Sequence, residues 1–257
     1  MAFDQSFKVL AIGNSFSEDS LAYLYDIARD YGIREIIIAN LYIPGASLQD
    51  HWNAASQGQS SYDYQKNKSG KWHITPHASL LDGLTDEAWD IITFQQASGY
   101  SGRLDSIEPY LSLLLEWVQA NRSDATPIYA WHMTWAYQAD STHEHFAFYH
   151  HDQSVMYRAI LDVVRTKILP LNVFHTLIPT GTAIQKARKG PLGDTLTRDG
   201  YHLSLLHGRY IAGLTWFKSL TKLPIESLTY VPYGLDRKDL KWMKRVVNQA
   251  IEHPFDL

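Results

Sequence analysis

The sequence predicts a doubly wound α/β fold, in which a parallel five-stranded sheet is covered by helices on both faces. Short apolar runs alternate with segments of helical periodicity along the chain. These runs are continuously apolar rather than alternating, which is typical of parallel strands buried on both faces. No repeat, linker or low-complexity tract interrupts the 257 residues. We therefore expect a single domain over residues 1–257.

The predicted strands end at turn-forming residues. The first, residues 7–12, stops at Gly13, and the second, residues 35–43, stops before Pro44-Gly45. The other predicted strands are residues 89–95, 126–134 and 171–177. After the second strand, residues around 50–75 are polar and rich in Gln, Ser and Tyr, and they predict a small inserted hairpin or excursion.

The helices are predicted from apolar residues that recur three and four positions apart. In residues 17–31, Leu21, Leu24 and Ala28 fall on one helical face. The remaining predicted helices are residues 107–119, 153–168, 203–220 and 237–251. Ligands of such folds bind beyond the carboxyl ends of the strands, so the residues that directly follow each strand are the first candidates for a functional site.

Composition excludes several classes of function. The 23 Lys+Arg and 27 Asp+Glu give a net charge of −4, so the chain lacks the basic footprint that a nucleic-acid partner requires. Without cysteine there is no disulfide and no thiolate zinc site or nucleophile. No window reaches the roughly 18 apolar residues of a membrane span, and residues 1–8 do not resemble an export signal. We expect no membrane partner and a cytoplasmic location by default, with secretion or export to the periplasm left open. The sequence predicts no oligomeric state.

Two short motifs near opposite ends of the chain predict a serine nucleophile with its base. Ser15 directly follows the first strand and begins a helix, where backbone amides can stabilise an oxyanion. Asp199 lies three residues before His202, a spacing that lets the carboxylate reach one imidazole nitrogen across a turn. Either motif alone is equally explained as a turn or a helix cap. Their joint placement at strand-to-helix junctions favours catalysis.

These motifs resemble those of the SGNH or GDSL-type hydrolases, serine esterases built on a flavodoxin-like sheet of three α/β/α layers. The resemblance rests on Gly-Asn-Ser at 13–15, on Gly45 after the second strand and on Asp-Gly-Tyr-His at 199–202, and it spans residues 7–208. It implies that Ser15 is the nucleophile, that His202 is the general base and then acid, and that Asp199 orients His202. It also implies that the Ser15 and Gly45 backbone amides donate to the oxyanion.

One block departs from the family pattern. Family members usually carry Gly-x-Asn-Asp after the third strand, with the Asn side chain as an oxyanion donor, whereas residues 94–98 here are Phe-Gln-Gln-Ala-Ser. A glutamine amide has the same N–H donor on a longer arm, so we expect Gln96 to donate, with Gln95 as the competing candidate. The block is similar to that of an uncharacterised bacterial branch of the superfamily and, more loosely, of carbohydrate acetylesterases.

Aromatic residues make up 13% of the chain, and several fall where a substrate wall is expected. Tyr100 follows the third strand, Trp135 follows the fourth, and Trp72 lies in the inserted segment. Such rings either stack on a ligand such as a sugar or fill the core. We expect Asn14, Tyr100 and Trp135 to contact the substrate.

The predicted function is that of a serine esterase. It removes a short acyl group, acetyl in the simplest case, from a carbohydrate or other small polar molecule. No metal or cofactor is expected, because the histidine-rich residues 143–151 match no zinc motif and no nucleotide-binding glycine pattern occurs. No long apolar lid is evident, which favours short acyl esters. Two alternatives stay open: a lipase or thioesterase with the same triad, and a non-catalytic carbohydrate-binding module on the same fold.

Overall fold

A single sheet contains every strand in the part of the chain that the computed structural model describes, residues 6–123 and 126–256. The strands are β1 (Ser6–Gly13), β2 (Glu35–Tyr42), β3 (Tyr62–Asn67), β4 (Trp72–Ala78), β5 (Ile91–Phe94), β6 (Ile128–His132) and β7 (Thr176–Ile178). Their order across the sheet is β4-β3-β2-β1-β5-β6-β7. The ends of the predicted 1–257 domain, including residues 1–5 of the segment tested for an export signal, lie outside the described residues.

The predicted doubly wound sheet is confirmed, but among the described residues it is a mixed sheet of seven strands and not a parallel sheet of five. Strands β2, β1, β5, β6 and β7 pair in parallel, and their order is that of a flavodoxin-like sheet. The inserted segment adds β3 and β4, which pair antiparallel at the β2 edge. A side-chain hydrogen bond also joins this β3–β4 hairpin to the parallel strands. Asn40 Nδ2 of β2 donates to Gln65 Oε1 of β3 at 3.0 Å.

The helices form two packed groups that flank the sheet. They are α1 (Ser15–Leu21), α2 (Leu24–Tyr31), α3 (Leu48–Ser56), α4 (Leu80–Thr85), α5 (Tyr110–Asn121), α6 (Gln153–Val163), α7 (Thr180–Ala187), α8 (His207–Thr221) and α9 (Leu240–Glu252). Helices α3 and α4 pack on α5, while α1, α2, α7 and α9 pack on α8. The predicted helix at 17–31 divides at Ala22–Tyr23, and α3, α4 and α7 were not predicted.

The parallel strands are continuously apolar because they are buried on both faces of the sheet. Every residue of β5 is buried, as are all the residues of β1 from Val9 onward. Because β1, β2 and β5 are neighbours and parallel, their carboxyl ends bring residues 14–15, 43–46 and 95–98 to one edge of the sheet. No helix among the described residues is long and apolar enough to cross a membrane.

Candidate active site

Ser15 is held at the first position of α1 by its two neighbours in the chain. Asn14 caps the helix, with its Oδ1 accepting the Phe16 amide at 2.9 Å. Ser17 completes the cap, since its hydroxyl accepts the Asn14 amide at 3.0 Å and donates to the Asn14 carbonyl at 2.7 Å. A Cβ atom at Gly13 would clash with the Ser17 hydroxyl. Glycine therefore permits the abrupt passage from β1 to α1 that exposes the Ser15 hydroxyl.

The structure brings Ser15, His202 and Asp199 into one chain of hydrogen bonds. His202 Nε2 lies 2.8 Å from Ser15 Oγ, and His202 Nδ1 lies 2.6 Å from Asp199 Oδ2. Asp199 Oδ1 accepts the amides of Tyr201 at 3.2 Å and of His202 at 2.8 Å. Partial burial raises the pKa of the Asp199 carboxyl, but the hydrogen bonds from His202 and the two amides outweigh it and lower the pKa. The ionised carboxylate only accepts, so Nδ1 carries the proton and Nε2 is free to accept one from Ser15.

The loop that carries Asp199 and His202 is a closed turn. Thr197 pairs with Leu203 in an antiparallel bridge, and the Arg198 amide donates to the His202 carbonyl at 2.9 Å. Gly200 has φ +91°, in the left-handed region, and a Cβ there would crowd Ser141. The turn thus requires the glycine that separates Asp199 from Tyr201.

A buried carboxylate, Asp19, ties this loop to α1. Its side chain is fully buried, and Oδ2 accepts the Leu203 amide at 2.8 Å. Arg198 Nη1 lies 3.0 Å from Asp19 Oδ2, and Arg209 Nε donates to Oδ1 at 2.8 Å. Because Leu203 directly follows His202, Asp19 fixes His202 relative to the helix that starts with Ser15. Sequence reasoning missed Asp19, since its arginine partners lie 179 and 190 residues further along the chain.

A cavity of about 280 Å³ opens over the Ser15 hydroxyl. It is lined by Asn14, Ser15, Phe16, Tyr42, Pro44, Gly45, Ser98, His143, Tyr201 and His202. Of the predicted site residues, Ser15, His202, Gly45 and Asn14 therefore meet at one cavity, with Asp199 behind His202. Tyr42, Ser98, His143 and Tyr201 line it without having been predicted.

Gln95 belongs to a buried network below the cavity. Asn14 Nδ2 donates to the Ala46 carbonyl at 3.0 Å, which turns Asn14 Oδ1 toward Gln95 Nε2, its donor at 2.8 Å. Gln95 Oε1 accepts from His132 Nδ1 at 2.8 Å, and His132 Nε2 lies 3.1 Å from Thr180 Oγ1. Burial lowers the pKa of His132 to about 3, so its ring is neutral. The network holds Asn14, and through it the loop that contains Gly45.

Gln96 ties two segments together instead of reaching the cavity. It is 1% exposed, and its Nε2 donates to the carbonyl and the hydroxyl of Ser106, at 2.8 and 3.1 Å. Its Oε1 accepts the amides of Leu48 at 3.0 Å and Ala97 at 2.7 Å. The amide nitrogen of the expected oxyanion donor is thus used at Ser106, and its oxygen at the start of α3, away from Ser15.

The two predicted aromatic contacts do not line the cavity. Trp135 is fully buried, stacks on Phe16 with ring centroids 4.1 Å apart, and donates its indole N–H to the Tyr201 carbonyl at 2.7 Å. Tyr100 lies against His145, with ring centroids 4.9 Å apart. Trp135 therefore supports residues on both sides of the Ser15–His202 pair from below, and it does not offer a face to a ligand.

His143 is the unpredicted histidine of the cavity. Its Nδ1 accepts the His145 amide at 3.1 Å, which requires that Nδ1 is unprotonated and leaves Nε2 as the N–H donor of the neutral ring. Its ring packs edge-on against Tyr201. Burial, followed by repulsion from His145, lowers the pKa of His143. Within the described residues no three His, Asp or Glu side chains are arranged to hold a metal ion.

Comparison with known proteins assigns the family. The model of a domain of unknown function, DUF4886, matches residues 8–250. The chain belongs to the DUF4886 family. A crystal structure of a DUF4886 family protein from Bacteroides uniformis is 38% identical over 98% of this chain and 97% of that chain, with a TM-score of 0.94. A search of curated proteins gave no match.

More distant structures share the fold of this DUF4886 protein. Axe2, an acetylxylan esterase from Geobacillus stearothermophilus, is 14% identical over 85% of this chain and 96% of its own, with a TM-score of 0.54. The acetyl xylan esterase AlAXEase is 13% identical over 83% of this chain and 100% of its own, with a TM-score of 0.51. Serine-to-alanine and aspartate-to-alanine forms of Axe2 are catalytic mutants of that enzyme.

Proposed function

We propose that this protein is a serine esterase of the SGNH type that hydrolyses short acyl esters of small polar molecules. The observation that carries the proposal is the Ser15–His202–Asp199 chain, with separations of 2.8 and 2.6 Å, at the base of an open cavity. Its order of hydroxyl, imidazole and carboxylate is the one that generates an alkoxide-like nucleophile at neutral pH. The fold shared with acetylxylan esterases supports the same reaction class.

The reaction follows from the donors and acceptors in place. Ser15 Oγ attacks the ester carbonyl carbon while His202 Nε2 takes the hydroxyl proton, and Asp199 stabilises the imidazolium that forms. The tetrahedral intermediate collapses with cleavage of the C–O bond, and His202 returns the proton to the leaving alcohol. Water then attacks the acyl-enzyme with His202 as base, and collapse of the second intermediate releases the carboxylic acid and restores Ser15.

Three groups at the cavity are proposed to stabilise the oxyanion. Two are the backbone amides of Ser15 and Gly45, and the third is the hydroxyl of Ser98, which takes over the role first expected of Gln96. Ser98 follows β5 at the edge where β1 and β2 also end, and its Oγ pairs with the Tyr137 hydroxyl at 2.8 Å. Burial raises the pKa of Tyr137, so its hydroxyl keeps a proton that it can donate to Ser98; with the bond in that direction, the Ser98 hydrogen is left for the substrate.

Cavity size and lining favour a short acyl group. At about 280 Å³ the cavity lies below the roughly 300–1,000 Å³ of most small-molecule sites. Its lining includes the polar residues Ser98, His143 and Tyr201. We propose an acetyl ester on a carbohydrate as the substrate, and no cofactor is needed, because Ser15 and His202 supply the nucleophile and the base.

A fluorophosphonate probe tests the catalytic proposal. One equivalent should label Ser15, and Ser15→Ala should abolish labelling while His202→Ala slows it by several orders of magnitude. The chain offers a matched control in His207, which pairs with Asp239 at 2.9 Å and lies outside the catalytic cavity. His207→Ala should label at the parent rate. A folded protein that is not labelled at Ser15 would refute the esterase proposal and favour a binding module.

The acyl preference requires a separate measurement. Initial rates on 4-nitrophenyl esters from acetate to decanoate should decline steeply as the acyl chain lengthens. A panel of acetylated sugars is then assayed for release of acetate. Activity that rises toward long chains would replace the carbohydrate proposal with a lipase. Hydrolysis confined to thioesters would indicate a thioesterase.

A further inference from the structure

We propose that a second cavity beside α1 binds a pyranose unit of a neutral oligosaccharide whose acylated unit occupies the catalytic cavity. The inference rests on the proposed esterase function. This second cavity has a volume of about 350 Å³. It is lined by Glu18, Ala22, Tyr23, Gln65, Trp72, Ile74 and Arg209.

The second cavity borders the catalytic one along α1. Glu18 lies three residues after Ser15, so the two side chains share one side of the helix and are separated by about 4.5 Å along its axis. Tyr42, which lines the catalytic cavity, is close enough to Glu18 that its pKa is raised by that carboxylate, after the larger effect of burial. A ligand of two or more linked rings can therefore reach from Ser15 to the second cavity.

The apolar part of the second cavity suits the C–H face of a sugar ring. Trp72 and Ile74 are two residues apart on β4, so both side chains project from the same face of the sheet. The Trp72 ring packs partly against the core, and Ile74 is 60% exposed. The Tyr23 hydroxyl donates to the Leu205 carbonyl at 2.8 Å, which fixes the ring that borders the cavity. An aromatic ring that is hydrogen-bonded, like Tyr23, or partly packed against the core, like Trp72, loses little side-chain entropy when a sugar ring stacks on it.

The polar part favours a neutral ligand over an anion. Arg209, which lies 2.7 Å from the buried Asp19, shares that carboxylate with Arg198, so together with Glu18 the two arginines are balanced by two carboxylates and the site has no net charge. Glu18 Oε1 accepts from Gln65 Nε2 at 2.9 Å. Carboxylate oxygens accept from hydroxyl groups, and the guanidinium donates to them, whereas a phosphate or uronate would find no net positive charge to bind here. A neutral sugar presents hydroxyl groups to the polar part of the lining and the C–H face of its ring to the apolar part.

Binding of unmodified sugars to the Ser15→Ala protein tests this cavity without catalysis. By titration calorimetry, β-1,4-linked tetrasaccharides of glucose, xylose and mannose are compared with the corresponding monosaccharides. At least one tetrasaccharide should bind more tightly than its monosaccharide. Trp72→Ala should weaken that binding about 3- to 10-fold, and Trp72→Phe should weaken it less, since one aromatic stacking contact contributes about that much. On the Ser15-containing enzyme, Trp72→Ala should raise KM for the acetylated tetrasaccharide by the same factor.

Trp117→Ala is the matched control, because Trp117 also packs partly against the core but lies on α5 and lines neither cavity. It should bind sugars like the parent, and thermal unfolding should show that both tryptophan variants are folded. Equal affinity in Trp72→Ala and Trp117→Ala, or no tetrasaccharide binding by the parent, would overturn the proposal. Hydrolysis of 4-nitrophenyl acetate by the parent reports on the esterase proposal separately. Trp72-dependent binding without hydrolysis would refute the esterase alone.

Discussion

Replacement of Asp199 by asparagine tests the orientation of the candidate base. Asp199 Oδ1 accepts two backbone amides, from Tyr201 and His202, so an asparagine here must keep its oxygen at that position. Its Nδ2 then faces His202 Nδ1, where the carboxylate Oδ2 now lies at 2.6 Å. Two donors cannot share a hydrogen bond, so Nδ1 must become the acceptor and the ring proton moves to Nε2. In that tautomer His202 cannot accept the Ser15 proton.

The expected loss is large because the substitution reverses one tautomer and leaves the packing unchanged. A misplaced imidazole proton in a serine triad costs about 10⁴ in kcat, or about 5.4 kcal/mol of transition-state stabilisation. KM for a small ester should change little, since Asp199 does not line the cavity. The assay is the steady-state hydrolysis of 4-nitrophenyl acetate by Asp199→Asn.

Asp239→Asn is the matched control, because Asp239 pairs with His207 at 2.9 Å outside the catalytic cavity. It should keep the parent kcat. A decrease in kcat of less than about 10-fold in Asp199→Asn, or one equal to that of the control, would refute the assignment of His202 as a base oriented by Asp199.

The pH dependence of stability gives a second readout for Asp199. The pKa of Asp199 is lowered in the folded state, so its contribution to stability is present above about pH 4 and is lost as the pH falls through the folded value. The difference in unfolding free energy between the parent and Asp199→Asn should therefore vanish in acid.

Three further predictions concern residues around the triad. Ser98→Ala should lower kcat about 100-fold with KM nearly unchanged. Gln96→Ala should lower the thermal unfolding temperature and have little effect on kcat. A large loss of kcat in Gln96→Ala together with a small loss in Ser98→Ala would return the oxyanion role to Gln96. His132 is buried with a pKa of about 3, below the roughly 6.5 of an unfolded histidine, so protonation favours the unfolded chain as pH falls. Its share of the unfolding free energy should decrease by about 1.4 kcal/mol per pH unit between about pH 6 and 4. Unfolding free energies measured by urea titration at several pH values should therefore depend less steeply on pH in His132→Gln than in the parent. His143→Leu should lower kcat/KM for an acetylated sugar about 10-fold, while His143→Gln, which keeps an N–H donor, should retain most of it.

The parallel part of the sheet was predictable because burial on both faces leaves a direct sequence signal. Continuous apolar runs located β1, β2, β5 and β6 to within a few residues. The hairpin strands β3 and β4 carry no such run, since β4 is largely exposed and the residues of β3 are mostly polar or aromatic. The strand predicted at 171–177 begins only at Thr176 and ends at Ile178, because residues 169–171 form a short 3-10 helix that ends at Asn172, with φ 50°.

The candidate site was predictable where a short motif carries it and unpredictable where distant segments meet. Ser15, Asp199 and His202 each stand in a local turn whose residues are recognisable. Gln96 fitted the sequence pattern equally well, but whether its amide faces Ser106 or the cavity depends on how α3 packs, which no local pattern encodes. Trp135 illustrates the same limit, because a tryptophan after a strand either lines a pocket or supports it from below.

Helix α1 links these features through its own geometry. Its first residue, Ser15, is the candidate nucleophile, Glu18 reaches the second cavity one turn later, and Asp19 holds the loop of His202. These positions lie within five consecutive residues of a regular helix, so the distance between the nucleophile and the second cavity is set by the helix, and Asp19 anchors the loop that carries His202 to the same helix. Removal of Asp19 would leave the buried Leu203 amide without its acceptor and two partly exposed arginines without their partner, at a cost of about 1–3 kcal/mol. An acid at this position therefore both stabilises the region and aligns the candidate base.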